Sequence, residues 1–450
     1  MNFSGTLSRR VIIGAGLAAP LATSAFAAEP LPARAEVLAT VRRSAEAQVA
    51  QLKANETDPT RRPRINTNWI SATFFVGAMK LTEAVDAPDV LDYALLTARR
   101  FNYGHQGDGA PVHLINADDQ AIGDLYQAIY LRTGSPGVLL PLKQRLDYTA
   151  PYLAYAPAPK KLVWWWCDAL FMGPPVYTKM SAITGDRTYI DAMDVQWWRT
   201  YERLYDKDQH LYARDERFIE RRSPNGKKIF WARGEGWVMA GLARVLETMP
   251  ADYPSRPRYV ALFQEMATKI ASLQGEDGLW RASLLDPEAF PEPETSGTAF
   301  FTYAFAFGIN HGLLDRRTYL PRVLKGWAGL NRYVLPSGLL GQVQTAGDQP
   351  VPTKRETTAL YASGGFILAG MEVARLGEPV KALPLTLPAP AKLAYHASDI
   401  PPRDLPADAT PDQVREHTRR EAERQAVKDL AFDPMVDGAR YISPVPEPRK

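Results

Sequence analysis

The chain carries a single cysteine, Cys167, in 450 residues, which excludes an internal disulfide and a cysteine-rich metal site. Its six histidines (His105, His113, His210, His311, His396, His417) show no ligand spacing, so no metal is expected. Beyond the N-terminus no stretch reaches the roughly eighteen apolar residues of a membrane span. An excess of one charge is missing too. The formal net charge is +3, and setting aside Arg9 and Arg10 lowers the 53 basic residues to 51, against 50 acidic ones. That balance gives no reason to invoke nucleic acid or an anionic membrane as partner. After the first 27 residues neither a G-x-S-x-G nor a P-loop pattern occurs, and no cofactor is implied.

What is present is a globular composition, 46% hydrophobic, with ten tryptophans. Indoles in such number either fill a core or form flat apolar platforms of the kind sugars use. The N-terminus reads Ser8-Arg9-Arg10-Val11-Ile12-Ile13, then a mildly apolar run to Ala22, then Ala25-Phe26-Ala27. Positive charge, an apolar segment and an Ala-x-Ala cleavage site predict a signal peptide over residues 1–27. The paired arginines suggest the twin-arginine route, hence a periplasmic or secreted protein that meets no membrane after cleavage. The same run, VIIGAGLAA, superficially matches a strand and a dinucleotide-binding loop. Pro20 stands where that loop's helix would run, and no parallel βα pattern follows.

From residue 35 to 375 apolar residues recur at helical spacing. The pattern predicts helices over 35–53, 67–84, 88–102, 117–132, 137–149, 168–183, 187–203, 234–248, 256–273, 296–312, 316–331 and 356–375. Many are joined by short turns with stop and start signals, such as Thr184-Gly185-Asp186. Three related turns follow successive helices: His210-Leu211-Tyr212-Ala213-Arg214, Gly278-Leu279-Trp280-Arg281 and Gly338-Leu339-Leu340-Gly341. A hairpin of helices repeated in this way must stack on its neighbours to bury its apolar face. Six hairpins can close into an all-α (α/α)6 toroid spanning residues 34–377; an open superhelix fits the same periodicity. Residues 378–450 form a Pro-rich C-terminal extension, with eight prolines in 379–411. Within it, Thr410-Pro411-Asp412-Gln413 starts a charged helix running to about Leu430.

Asp168 is the sharpest chemical candidate. It follows Trp164-Trp165-Trp166-Cys167, and a carboxyl beside indoles loses hydration and favours its protonated form. Such an acid suits glycan cleavage or hydration of a double bond; the competing reading is an N-terminal helix cap among core aromatics. Asp118 and Asp119 open the fourth predicted helix, where acids serve the helix dipole, although two adjacent carboxyls exceed what a cap requires. In Trp231-Ala232-Arg233-Gly234-Glu235-Gly236-Trp237, Arg233 offers a planar fork for a carboxylate and either tryptophan a stacking face. The alternative is a helix start in which Arg233 pairs with Glu235. Thr295 and Ser296 open another helix and either cap it or bind sugar hydroxyls. Trp69 opens the second helix, as site or as core.

Taken in order, NADDQAIGDLY, WWWCDALFM, FWARGEGWVMAGL, GLWRASLLDP and PETSGTAFFTYAFAFGINHGLLD resemble glycoside hydrolase families 88 and 105, the unsaturated glucuronyl and rhamnogalacturonyl hydrolases, and family 105 more closely. The similarity runs from about Trp69 to Leu376. It implies the (α/α)6 toroid and, as partner, an oligosaccharide left by a polysaccharide lyase with a 4,5-unsaturated uronic acid at its non-reducing end. It further implies that Asp168 donates a proton to C4, that Asp119 fills the second acidic position with Asp118 beside it, and that Trp231, Arg233 and Trp237 contact substrate. Trp69, Trp165, Trp166, Thr295 and Ser296 complete the expected binding set. Two departures stand out. Glu235 replaces a common asparagine, and a histidine used by some members has no match in Leu211-Tyr212-Ala213-Arg214. The rival functions are a toroid enzyme acting on saturated glycosides and a non-catalytic exported glycan-binding protein.

Overall fold

A computed structural model of the chain describes residues 1–2, 30–58, 60–106, 111–154 and 162–387. The expected signal peptide and the charged helix near residues 412–430 lie outside the described residues. Two units separate, Met1–Pro30 and Leu31–Lys450, and the second contains the helical domain.

Its helices are α1 (Arg34–Glu56), α2 (Trp69–Thr82), α3 (Pro88–Arg100), α4 (Pro111–Ile115), α5 (Ala117–Gln120), α6 (Gly123–Thr133), α7 (Pro136–Ala154), α8 (Ala169–Met172), α9 (Pro174–Thr184), α10 (Thr188–Leu204), α11 (Ala232–Thr248), α12 (Arg256–Ser272), α13 (Thr295–Asn310), α14 (Arg316–Asn331) and α15 (Leu360–Val373). Every helix expected from periodicity is present. Two are broken: one between α5 and α6, the other at Gly173, where Pro174 and Pro175 begin a new helix, the first turn being where a proline ring removes no helical hydrogen bond.

An inner ring runs α2, α6, α8–α9, α11, α13 and α15, and α15 packs on α2 to close it. The outer helices α1, α3, α7, α10, α12 and α14 pair with inner ones or with one another. This is the closed (α/α)6 toroid, and the open superhelix is excluded. Sequence explains which helix lies where. α11, α13 and α15 are buried along almost their whole length, and α13 and α15 are apolar on nearly all sides, as suits a helix enclosed by neighbours. α3, α10 and α12 keep a polar face.

The repeated turns have a common geometry. His210, Gly278 and Gly338 each take positive φ (54°, 82° and 93°). The chain then returns as a short strand or bridge: Leu211–Tyr212 on Tyr205–Asp206, Trp280–Arg281 on Pro293–Glu294, and Leu340 against Val334. These returns carry the chain from an outer helix to the start of the next inner one. Past Gly377 the first residues of the Pro-rich extension lie along the domain, with the Lys381 and Leu385 N–H groups donating to the carbonyls of Asn310 and Glu247 at 2.9 and 2.8 Å.

Candidate active site

The N-terminal ends of the inner helices gather the residues singled out by sequence. Trp69 at the start of α2 stacks on Tyr361 at the start of α15 (centroids 5.6 Å apart, 24°) and meets Trp237 of α11 edge-on at 5.9 Å. Arg233 in the first turn of α11 lies 4.7 Å from the Tyr361 ring. The positive poles of several helix dipoles therefore face one mouth, which favours negative charge there.

Asp168 sits in the turn that leads into α8, with helical φ and ψ of −60° and −30°. The Cys167 N–H donates to the Arg214 carbonyl at 2.8 Å, and Trp166 bridges to Asp215. Trp164 and Trp166 are buried while Trp165 between them is half-exposed. Asp168 is 8% exposed, and its carboxyl makes no cap hydrogen bond to α8. The capping reading thus fails. Arg214 Nε donates to Asp168 Oδ2 at 3.2 Å, and the Cys167 thiol lies 3.6 Å from the same oxygen. Burial raises the Asp168 carboxyl above the ordinary range, although the charge of Arg214 and then that of Arg233 oppose the rise.

The two acids of α5 have different surroundings in the fold: Asp119 meets His113, and Asp118 meets Trp166. Asp119 is buried with Oδ2 2.6 Å from His113 Nδ1. It is Asp118 that feels the charge of Asp168 and takes a hydrogen bond from the Trp166 side chain. Burial first, then the neighbouring charges of Asp168 and Asp119, push the Asp118 carboxyl up to about 8. A one-residue step along a helix turns a side chain by about 100°, enough to carry one acid towards the mouth and the other towards His113. Asp118 is thus an acid beside Asp168.

The heptad at α11 also differs from expectation. Trp231 and Trp237 are 2% and 0% exposed and present no face to a sugar. Trp231 donates to Gln344 at 3.0 Å, and Trp237 packs among Phe171, Phe300 and Trp69. The Arg233 fork is taken by backbone: Nη1 donates to the Gln344 carbonyl at 2.7 Å and Nη2 to that of Thr345 at 2.9 Å, between the rings of Trp231 and Tyr361. Its Nε is buried with no hydrogen-bond partner, and no carboxylate pairs with it. The expected Arg233–Glu235 pair is not made either. Glu235 is fully buried, accepts the Tyr212 N–H at 2.9 Å, and burial drives its carboxyl well above the ordinary value. Burial thus favours its neutral form and weakens the repulsion of an anionic ligand that its identity suggests.

Thr295 and Ser296 are buried structural residues. Thr295 Oγ1 donates to the Gly341 carbonyl at 2.8 Å and Ser296 Oγ to Glu294 Oε1 at 2.5 Å. Glu294 itself caps α13. The surfaces left for a sugar are Trp69 and Trp165, both half-buried. Sequence reasoning missed Arg214 and Tyr361. Arg214 could have been found as the one arginine of the first repeated turn that has aspartate next to it. Among the described residues no group of three or more His, Cys, Asp or Glu is placed to hold a metal ion.

The model of glycosyl hydrolase family 88 matches residues 40–377. The chain belongs to this family. It is a glycoside hydrolase, and the match spans the whole helical ring. Two curated relatives are each named unsaturated 3S-rhamnoglycuronyl hydrolase. That from Formosa agariphila is 39% identical over 328 residues, 69% of this chain and 85% of the relative. That from Alteromonas sp. is 32% identical over 321 residues, 68% of this chain and 77% of the relative. A solved family 88 glycosyl hydrolase from Bacteroides vulgatus matches with TM-score 0.68 and 29% identity, covering 77% of this chain and all of the other.

Proposed function

We propose that this family 88 hydrolase removes a terminal 4,5-unsaturated uronic acid from lyase-generated oligosaccharides. One observation carries the reading. Asp168 is a buried carboxyl that caps nothing, held beside a second proton-retaining acid, Asp118, and in the field of two guanidiniums, Arg214 and Arg233. An acid that keeps its proton in a positively charged mouth suits an electron-rich, anionic substrate. The names of the two relatives support unsaturated rhamnoglycuronyl oligosaccharides as the first substrates to try.

In this reaction Asp168 delivers its proton to C4 of the enol ether. Water adds at C5, and the proton it loses returns to the carboxylate just formed. The hemiketal at C5 then opens, the ring oxygen leaving C5, and the resulting C1 hemiacetal expels the remaining sugar as an alcohol. One water is consumed and no oxidant is needed. Trp69 and Trp165 flank the sugar. The Arg9-Arg10 segment supports export by the twin-arginine route, which would place the enzyme where such oligosaccharides arise.

The ultraviolet absorbance of the conjugated double bond tests the reading directly. Wild-type protein is expected to abolish it in rhamnoglycuronyl substrates, and Asp168→Asn to slow the loss by on the order of 10²–10⁴-fold with an unchanged melting temperature. Sugar release without loss of absorbance would instead select the saturated-glycoside reading, and neither would select a glycan-binding protein.

A further inference from the structure

Arg214 has the geometry of an exchangeable anion receptor. Its Nη1 donates to Asp215 Oδ2 at 2.8 Å. Asp215 is itself locked by three donors of Arg217: the backbone N–H at 2.9 Å, Nε at 2.9 Å and Nη2 at 2.8 Å. That side of the guanidinium is fixed. The other edge, Nε with Nη2, is the one that grips a carboxylate bidentately. Here only Nε is used, in the 3.2 Å contact to Asp168, and among the described residues Nη2 donates to no protein group. The group lies 5.4 Å from the ring of half-exposed Trp165, and its own side chain is 15% exposed. Arg233, the other cation, has both Nη groups bound to carbonyls and is fully enclosed.

We infer that Arg214 receives the carboxylate of the unsaturated uronate on its Nε–Nη2 edge and that the substrate thereby displaces Asp168 from it. This rests on the hydrolase reading above. Before binding, Arg214 stabilises the ionised form of Asp168. Afterwards Arg214 is neutralised, a further negative charge stands nearby, and Asp168 holds the proton it must donate. The other groups facing Asp168 (Asp118, Cys167, Arg233 and Glu235) are already present in the free enzyme, so they do not change on binding. Coupling of this kind strengthens the acid form further when the substrate carries the carboxylate.

The test compares pH profiles of kcat and kcat/KM for wild type, Arg214→Gln and Arg214→Lys, using an unsaturated uronyl disaccharide and its methyl ester. Since kcat/KM reports the free enzyme and kcat the complex, the alkaline limb of kcat in wild type is expected at higher pH than that of kcat/KM. The ester is expected to show a KM at least about tenfold higher. In Arg214→Gln the acid loses its advantage over the ester and the two limbs coincide; Arg214→Lys, which keeps the charge without the fork, regains part of both. A glutamine variant that still prefers the acid and keeps the limbs apart overturns the inference and assigns the carboxylate to Arg233. If Arg214→Gln does not fold, wild type decides, because coincident limbs on the acid substrate overturn the inference. Failure of the hydrolase reading is visible separately, as wild type that consumes neither compound, and would remove the inference with it.

Discussion

Glu235 Oε1 accepts the backbone N–H of Tyr212 at 2.9 Å, tying the first turn of α11 to the strand that leads into Arg214. The carboxyl is fully buried and its other oxygen has no partner, so the proton burial confers on it replaces the ion pair expected with Arg233.

Glu235→Gln is therefore expected to fold and to retain activity within a few-fold, since the amide oxygen can accept the same N–H. The two proteins differ in pH dependence. Glu235 has a folded-state pKa raised above the ordinary value of about 4.3. Its contribution to stability is complete below that value and is lost as pH rises through the raised one. Thermal melts across pH should show wild type losing stability on the alkaline side faster than Glu235→Gln. Glu235→Ala, which leaves the Tyr212 N–H buried and unsatisfied, should cost about 1–3 kcal/mol at any pH. A glutamine variant as damaged as the alanine one would mean that the carboxylate is charged.

Asp118 and Asp119 separate two roles. Asp118→Asn is expected to reduce kcat on the order of 10²-fold, while Asp119→Asn, whose carboxyl meets His113, acts mainly on stability. The Asp118 carboxyl is pushed up to about 8 in the fold, so its contribution is lost as pH rises through that value, and Asp118→Asn should be the more alkali-resistant protein. Equal kcat for Asp118→Asn and wild type would sink the assignment.

The sequence made the ring's elements legible because inner helices such as α13 and α15 are apolar nearly all round and outer ones such as α3 and α10 are striped, and both patterns are local. Closure was not legible. It depends on α15 meeting α2, two segments with no shared local signal. The site shows the same division. Motif spacing located Asp168 and Arg233, yet exposure is decided by tertiary neighbours. Trp231 and Trp237 look like platforms in the sequence and are core in the fold, whereas Trp165, one of three consecutive tryptophans, stays half-exposed between two buried neighbours. Arg214 stayed hidden because its turn reads as a structural repeat, and only the fold brings residue 214 against residue 168.

That division gives a prediction for the tryptophans. Trp69→Ala and Trp165→Ala should raise KM several-fold, the order expected from losing about 0.5–1.5 kcal/mol of ring stacking, with Trp165→Ala also loosening Arg214. Trp237→Ala should instead lower stability by about 3–5 kcal/mol through an emptied core position. Urea midpoints and KM values measured side by side distinguish the two classes. A stable Trp237→Ala with a raised KM would return that residue to the substrate surface.

Gly241 tests how the acid is positioned. It lies in α11, and a Cβ built there would stand 2.3 Å from the Leu170 carbonyl oxygen and 2.8 Å from its carbon. Leu170 belongs to α8, two residues beyond Asp168. Two effects oppose one another in Gly241→Ala. Alanine favours an isolated helix by about 1 kcal/mol over glycine, while overpacking a core contact costs about 1–3 kcal/mol. The obstacle here is backbone, which cannot rotate aside as a side chain can, so the steric cost wins and α8 must move away from α11. The expected result is a lower urea midpoint together with a loss of kcat larger than that of KM, because Asp168 moves with α8. A variant more stable than wild type would show that the two helices have room to spare and that this contact does not set the position of Asp168.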